Sequence, residues 1–550
     1  MKSAASILRY VRRFGTYVCL FAIVLPSAQA QADLRLANIF NNNMVLQQGK
    51  VIGVWGWTDS GAEASVSFGE TTLATKADKD GLWRVEFKPL AASFEPRRLT
   101  VKSGDKTIEL KNILVGEVWL CGGQSNMEGA GHHNQDLEHP SADTLGVRYT
   151  RLERRPQSKP LKDLPLRENW APLGAKNSEL NRVAAVPYYF GVRLSRYLKV
   201  PVGLMNSAVG GTTAEVWASP ASLRAAPQLK NVCKHLGKDT GAFFNGVIAP
   251  ISKFAIRGVL FYQGENNVFE GYETYAHSLP KVIGSWRKAF GDETLPFGII
   301  SLAGNWAQSM QPEPERELGN GHNFATIRDV HFRTFRSTKN TGLIAIHDLG
   351  EDYMHPGFKR DVGERAARWA LATAYDKPVY HTAPIYREMK IDGGKALLFF
   401  DHDPTVTDMR AGKTYKRLPF PLRAREFKGF IIAGKDRRFF PAQARVRRMK
   451  SDAEVKNECI EVWSEFVSEP VAVRYAWANQ PDANAYGMRG IPVAPFRTDD
   501  WVMIRAVPKW APDLEQREKH NKELRRKLEQ WRRERMIMEA KKALKDLDAG

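Results

Sequence analysis

Residues 113–378 alternate between short apolar runs and segments with helical periodicity, and this alternation constrains the fold more than any other feature. The strand-like runs include 202–207, 258–262, 297–302 and 343–346, and helical patterns such as 186–198 and 279–290 lie between them. Strands that alternate with helices form a parallel sheet covered by helices on both faces. We therefore predict an α/β core.

The regions on either side of this core predict β structure. Short runs with β-branched and aromatic residues are separated by turn sequences such as Asp59-Ser60-Gly61. Strands at this spacing are typical of small sandwiches. We predict a signal peptide, an N-terminal β-sandwich-like domain, the α/β core, a C-terminal β-sandwich-like domain and a charged helix, at 1–30, 31–112, 113–378, 379–511 and 512–550.

The first thirty residues resemble an export signal. Basic residues are followed by an apolar run at 17–25 that is too short to span a bilayer, and Ala28-Gln29-Ala30 offers a cleavage site. The alternative is a retained anchor. No later segment is long and apolar enough to be transmembrane, so we expect an exported protein, periplasmic or extracellular.

The charge balance is basic, with 81 Lys and Arg against 61 Asp and Glu. The charges are scattered and no nucleic-acid-binding module is recognisable, which favours a solvated basic surface. A weaker hypothesis is that the final helix attaches the protein to an acidic polymer or a membrane surface. The cysteines beyond Cys19 are widely spaced and lack zinc-site spacing. We predict no metal.

Ser125 is the candidate nucleophile. It follows an apolar run at 113–121 and two glycines, at a predicted turn from a strand to a helix. Backbone N–H groups at such a turn can stabilise the oxyanion of an acyl-transfer reaction. The alternative is a tight Gly-Gly turn with Ser125 as a helix cap.

His355 is the candidate base, because a serine needs a base to become a nucleophile. Asp352 lies three residues earlier and is placed to orient the imidazole. Asp348 is a second candidate for this acid. The alternative is a polar surface turn.

The candidate oxyanion donors follow other predicted strands. Gly211 can bring a backbone N–H close because glycine has no side chain, and Gln263 and Asn267 offer side-chain amides. The carboxyl ends of parallel strands form one edge, so we expect these groups to meet Ser125 there.

The order of these motifs resembles the SGNH hydrolases, and more closely the sialate O-acetylesterase family. The resemblance covers roughly residues 35–501 and rests on these segments: Gly123-Gln124-Ser125-Asn126-Met127, Gly210-Gly211, Tyr262-Gln263-Gly264-Glu265, and Asp352 with His355-Pro356. It implies a three-layer, flavodoxin-like core without a cofactor.

The resemblance also implies roles for single residues. Ser125 is implied as nucleophile, His355 as base, Asp352 as the orienting acid, and Gly211 with the Ser125 N–H as oxyanion donors. The third donor stays open between Gln263 and Asn267, and the acid between Asp352 and Asp348. Substrate-binding roles are implied for two residues of the same motifs, Gln124 and Glu265.

We therefore expect an exported carbohydrate O-acetylesterase that works through a serine acyl-enzyme. Its expected substrate is an O-acetylated sialic acid or an acetylated plant or marine polysaccharide. The alternative is a glycan-binding multidomain protein with an inactive esterase core.

Overall fold

In the computed structural model, the described residues are 33–129, 146–173, 183–269, 272–305, 323–351, 354–401, 427–448, 458–487 and 490–501. In the final segment only Arg526, Gln530, Arg533 and Ile537 are described, and all are helical and exposed. The predicted signal peptide and Asp352 lie outside the described residues. Within the described part of the chain, no helix is long and apolar enough to cross a membrane.

The N-terminal strands belong to two sheets. β1, β3 and β6 form an antiparallel sheet, and the others join a larger sheet through β8. Their bounds are β1 (Arg35–Leu36), β2 (Val45–Gln47), β3 (Ile52–Trp57), β4 (Glu63–Phe68), β5 (Thr71–Lys76), β6 (Leu82–Phe87), β7 (Ser93–Ser103) and β8 (Lys106–Gly123).

Strand β8 connects the N-terminal region to the core. It is 18 residues long, and its first half pairs with β7 while its second half pairs with core strands. The strand predicted at 113–121 is therefore only its second half, and the predicted boundary between 112 and 113 falls inside it. The sequence becomes mostly apolar near residue 113 because every residue of β8 from that point onward is buried.

The core strands lie in the order β10-β9-β11-β8-β12-β13-β14. All neighbours are parallel except β9 and β10. The remaining bounds are β9 (Val147–Leu152), β10 (Leu166–Pro172), β11 (Val202–Asn206), β12 (Gly258–Tyr262), β13 (Phe297–Ile300) and β14 (Thr341–Ile344). The core strands that follow β8 in the chain lie on both sides of it in the sheet. Such a reversal of strand order opens a crevice at the carboxyl ends of the strands.

Helices cover both faces of this sheet. They are α1 (Ser125–Glu128), α2 (Ala185–Leu198), α3 (Pro220–Arg224), α4 (Lys230–Leu236), α5 (Ala249–Ile251), α6 (Tyr272–Phe290), α7 (Asn323–Ser337) and α8 (Lys359–Ala374). Trp119 of β8 packs edge-on against Phe190 of α2 and Trp369 of α8. Gly122 points to the opposite face, where it is covered by Trp286 of α6. The mixed α/β architecture is confirmed.

The C-terminal strands form two antiparallel four-stranded sheets, in the orders β15-β16-β20-β19 and β18-β17-β21-β22. Their facing side chains make a hydrophobic cluster separate from that of the core. The bounds are β15 (Ile385–Asp392), β16 (Lys395–Asp401), β17 (Phe430–Ala433), β18 (Phe439–Pro441), β19 (Gln443–Arg448), β20 (Glu458–Trp463), β21 (Ala472–Tyr475) and β22 (Phe496–Arg497).

A buried ion-pair network joins these sheets to the core. Asp499 accepts two hydrogen bonds from Arg474, at 2.8 and 2.9 Å. Arg497 lies 3.2 Å from Asp499 and donates to Asp329 of α7 at 2.9 Å. Burial acts to raise the pKa of Asp499, but the bonds and charges of the two arginines outweigh it and the pKa is lowered. The Asp499 carboxylate is therefore charged and paired in the interior.

Removing the central carboxylate tests this network. Asp499→Asn removes the carboxylate that pairs with the buried Arg474 guanidinium, whereas Arg497 keeps its bond to Asp329, so the free energy of unfolding is expected to fall by about 3–5 kcal/mol. The measurement is urea unfolding followed by tryptophan fluorescence. Glu469→Gln is the control, because Glu469 pairs with Lys435 at the surface, and its expected effect is below about 0.5 kcal/mol. Equal effects of the two substitutions would contradict the assignment.

Candidate active site

The carboxyl ends of four core strands carry the predicted site residues to one edge of the sheet. Ser125 follows β8, Gly211 follows β11, Gln263 follows β12, and His355 comes after β14. These strands are neighbours or near neighbours, so segments distant in the sequence converge in space.

Ser125 and His355 are in direct contact. The His355 Nε2 lies 2.8 Å from the Ser125 Oγ, although 230 residues separate them in the chain. Both residues are partly exposed. A hydroxyl that donates to an imidazole nitrogen at this distance is the geometry from which a histidine removes the proton of a nucleophilic serine.

The turn before Ser125 depends on Gly123. Its φ of 127° is unfavourable for other residues, and a Cβ there would lie 2.0 Å from the Tyr262 carbonyl oxygen. The same carbonyl accepts a hydrogen bond from the Gln124 N–H at 2.9 Å. Gln124 is the N-cap of α1 and Ser125 is its first residue, so Ser125 does not cap this helix.

The Gly210-Gly211 turn lies against Ser125. A Cβ on Gly210 would lie 3.3 Å from the Ser125 Cβ, and the Gly210 N–H donates to Glu128 Oε2 at 2.7 Å. Gly211 has a φ of 71°. Among the described residues, neither the Gly211 N–H nor the Ser125 N–H has an acceptor. The two groups are therefore not engaged by the described part of the chain, and their oxyanion role stays a prediction.

Gln263 and Asn267 brace the segment after Gly211. The Gln263 amide donates to the Thr212 carbonyl at 3.1 Å and to Asn267 Oδ1 at 2.7 Å. Asn267 donates in turn to Glu215 at 3.1 Å. Both side chains are fully buried. The choice between them as a third oxyanion donor stays a prediction.

Gln124 and Glu265 are buried as well. Gln124 Oε1 accepts hydrogen bonds from the N–H groups of Gly264 and Asn266, at 3.3 and 3.2 Å. Glu265 Oε1 accepts one from the Asn126 amide at 2.5 Å. These bonds hold the ends of β8 and β12 together, and substrate contact by either residue stays a prediction.

A buried lysine supports the loop that carries the histidine. Lys359, the first residue of α8, donates to Asn126 Oδ1, and the Asn126 amide donates to the Met354 carbonyl at 3.1 Å. Burial lowers the pKa of Lys359 to about 8, while the charges of Glu265 and Glu351 act in the opposite direction. This chain of bonds connects the α1 turn to the residue before His355.

Sequence reasoning missed Lys359. The sequence did contain an indication of its role. A cation in the first turn of a helix interacts unfavourably with the helix dipole, so its presence there indicates a compensating interaction.

The two candidate acids differ in what the structure shows. Asp352 lies outside the described residues, so its role remains a prediction. Asp348 accepts a bidentate pair of hydrogen bonds from Arg365, at 2.7 and 2.8 Å. That pairing gives Asp348 a partner other than the imidazole, and Asp352 remains the preferred acid.

Within the described part of the chain, no group of three or more His, Cys, Asp and Glu residues is placed to hold a metal ion. Among the described histidines, His331 and His347 are buried, and burial lowers their pKa values to about 3. They are neutral at ordinary pH.

Comparisons with known proteins agree on one family. Residues 115–370 match the model of a carbohydrate esterase family described as sialic acid-specific acetylesterase. A mouse sialate O-acetylesterase is 24% identical over 84% of this chain and 93% of its own length. The human one is 27% identical, over 69% and 79%. The crystal structure of a carbohydrate acetylesterase from Xanthomonas citri is 31% identical with a TM-score of 0.72, covering 85% of this chain and all of that one.

Replacement of the buried lysine tests its positioning role. Lys359→Met removes the donor to Asn126, so the His355 loop loses a support and kcat is expected to fall about 10- to 100-fold, with little change in KM. The measurement is steady-state hydrolysis of p-nitrophenyl acetate, with the melting temperature determined in parallel.

The control for this test is Lys253→Met, because Lys253 is exposed. Since the pKa of Lys359 is about 8, wild-type kcat is expected to decline as the pH rises through that value and the ammonium charge is lost. Lys359→Met should lack this decline. An unchanged kcat in Lys359→Met would show that the lysine does not position the histidine.

Proposed function

Because the chain belongs to the sialic acid-specific acetylesterase family of carbohydrate esterases, and is therefore a carboxylic-ester hydrolase, we propose that it removes O-acetyl groups from carbohydrates. The observation that carries this proposal is the 2.8 Å contact between Ser125 Oγ and His355 Nε2 beside the Gly210-Gly211 turn. It is the arrangement that serine-dependent acyl transfer requires.

The proposed reaction has two stages. The Ser125 oxygen attacks the acetyl carbonyl while His355 Nε2 accepts the hydroxyl proton. The N–H groups of Ser125 and Gly211 stabilise the negative oxygen of the tetrahedral intermediate. When the intermediate collapses, His355 returns the proton to the departing sugar oxygen and an acetyl-serine remains.

Water completes the cycle. His355 removes a proton from a water molecule, which attacks the acetyl-serine. His355 then returns this proton to the Ser125 oxygen as the acyl bond breaks and acetate is released. Asp352, as the proposed acid, keeps the imidazole in the tautomer whose Nε2 accepts the proton. Helix α1 is a single turn, so its dipole adds little to the stabilisation of the oxyanion. The oriented N–H groups therefore provide the electrostatic stabilisation. No step of this sequence needs a metal ion or an organic cofactor.

The proposed substrate is an O-acetylated sialic acid or an acetylated plant or marine polysaccharide, and the names of the relatives support an acetylated sialic acid or other carbohydrate. We include export in the proposal, on the signal-like pattern of residues 1–30. The hydrogen-bonded Ser125–His355 pair gives no support to the alternative of a glycan-binding protein with an inactive core.

Replacement of the nucleophile tests the mechanism. Ser125→Ala removes the attacking oxygen, so kcat for p-nitrophenyl acetate is expected to fall by about 10³-fold or more. Ser65→Ala is the control, since Ser65 lies on β4 in the N-terminal region, and it should retain wild-type activity. Equal rates for Ser125→Ala and the wild type would refute the assigned nucleophile.

The substrate class is tested by acetate release from acetylated sialosides, xylans and pectins. We expect wild-type release from at least one glycan and none from Ser125→Ala. Glycan binding without any release would favour the binding-protein alternative.

A further inference from the structure

The carboxylate of Glu128, at the end of α1, is surrounded by arginines. Among the described residues, Arg151, Arg154 and Arg167 all contact its Oε1, with Arg151 Nη2 at 3.6 Å and Arg167 Nη1 at 3.8 Å. We refer to these three residues as the arginine cluster. Arg151 also pairs with a second carboxylate, since its Nη1 lies 3.5 Å from Glu168 Oε1.

The hairpin at the edge of the core sheet brings the cluster to the active-site side. Arg151 lies near the end of β9, in register with Asn206 at the carboxyl end of β11. Arg154 follows β9, and Arg167 lies on the antiparallel β10. The cluster is therefore built at the same sheet edge as Ser125.

The cluster carries more positive than negative charge. Three guanidinium groups share the carboxylates of Glu128 and Glu168. Burial lowers the pKa of Arg154, and the nearby charge of Arg167 lowers it further. Arg151 is mostly buried, whereas the side chains of Arg154 and Arg167 are each 42% exposed. An anion arriving from solvent would relieve the repulsion between these two arginines.

The cluster is adjacent to the nucleophile. Ser125 and Glu128 are the first and last residues of a single helical turn, so their side chains lie on the same side of it. Gly210 lies between them, because a Cβ there would be 3.3 Å from the Ser125 Cβ and 3.2 Å from Glu128 Oε2. A sugar whose acetyl group reaches Ser125 therefore brings its neighbouring substituents close to the arginines.

We propose that Arg154 and Arg167 form a subsite for a sugar carboxylate, so that the enzyme prefers O-acetylated acidic sugars to neutral ones. This deepens the proposed function and rests on it. The cluster already holds one carboxylate, that of Glu128, by charge at ion-pair distances. A guanidinium group can also bind a carboxylate through two parallel hydrogen bonds. The exposed N–H groups of Arg154 and Arg167 offer the same chemistry to a substrate.

Neutralising the two arginines tests the subsite. Arg154→Gln and Arg167→Gln keep most of the side-chain volume and remove the charge. For acetylated N-acetylneuraminic acid or acetylated oligogalacturonides, kcat/KM is expected to fall about tenfold per substitution, mainly through KM. For acetylated xylo-oligosaccharides and p-nitrophenyl acetate, it should stay within about twofold, since neither carries a carboxylate.

Added salt supplies a second readout. The KM of the wild type for the acidic substrates should rise with sodium chloride concentration, and this rise should be smaller in the double variant. Arg84→Gln is the matched control, because Arg84 is similarly exposed at 39% but lies on β6. It should leave all substrates unaffected. Equal losses for acidic and neutral substrates would overturn the subsite, since they would mean that the arginines only support Glu128.

Binding to the Ser125→Ala variant separates this proposal from the proposed function. Calorimetry with unacetylated N-acetylneuraminic acid and with galacturonate shows which carboxylated sugar fits. Suppose that Arg154→Gln abolishes this binding and that the wild type releases no acetate from any glycan. These results would support the subsite and refute the proposed function. Acetate release with no difference between the wild type and both glutamine variants would refute the subsite and leave the proposed function intact.

Discussion

The close approach of β8 and β12 at Gly123 determines where the active site lies. Only a residue without a side chain can pass the Tyr262 carbonyl at this distance, and the Gln124 N–H then bonds to that carbonyl. The chain leaves the sheet at this point, so Ser125 stands at the edge where the neighbouring strands also end. The contact of Ser125 with His355 and its approach to the Gly210-Gly211 turn both depend on this position of Ser125.

The single turn of α1 connects regions of different polarity. Asn126 points into the interior, where its amide group binds Glu265, Lys359 and the backbone of the histidine loop. Glu128 points to the partly exposed arginine cluster and holds the Gly210 N–H. One short segment therefore presents the proposed nucleophile, supports the loop of the proposed base and orders the turn that carries the proposed oxyanion donor. A substitution in this segment affects several of these functions together.

Local patterns predicted much of the fold. The alternation of apolar runs with amphipathic segments anticipated the parallel sheet, and the strand expected at 258–262 has the observed bounds. Motif order and family resemblance anticipated the contact between Ser125 and His355. The predicted boundary between 112 and 113 falls inside β8, because the onset of continuous burial along one strand resembles a junction between two domains in the sequence.

Other features were not predictable from local patterns. The pairs Lys359–Asn126 and Arg167–Glu128 join residues that only the tertiary fold brings together. The direction of the Gln263 and Asn267 side chains depends on partners after β11 that sequence spacing does not reveal. What escaped prediction was therefore mainly the polar contacts between distant elements, whereas the elements themselves were anticipated.

The shared strand β8 has a consequence for how the polypeptide matures during synthesis. Its first half can pair with β7 as soon as it emerges, whereas the apolar second half must wait for β11 and β12, which are made much later. The N-terminal sheets thus act as a folding platform that holds one end of an unfinished strand in place. A shortened polypeptide that starts after residue 112 would lack this platform and would expose an unpaired apolar edge prone to aggregation.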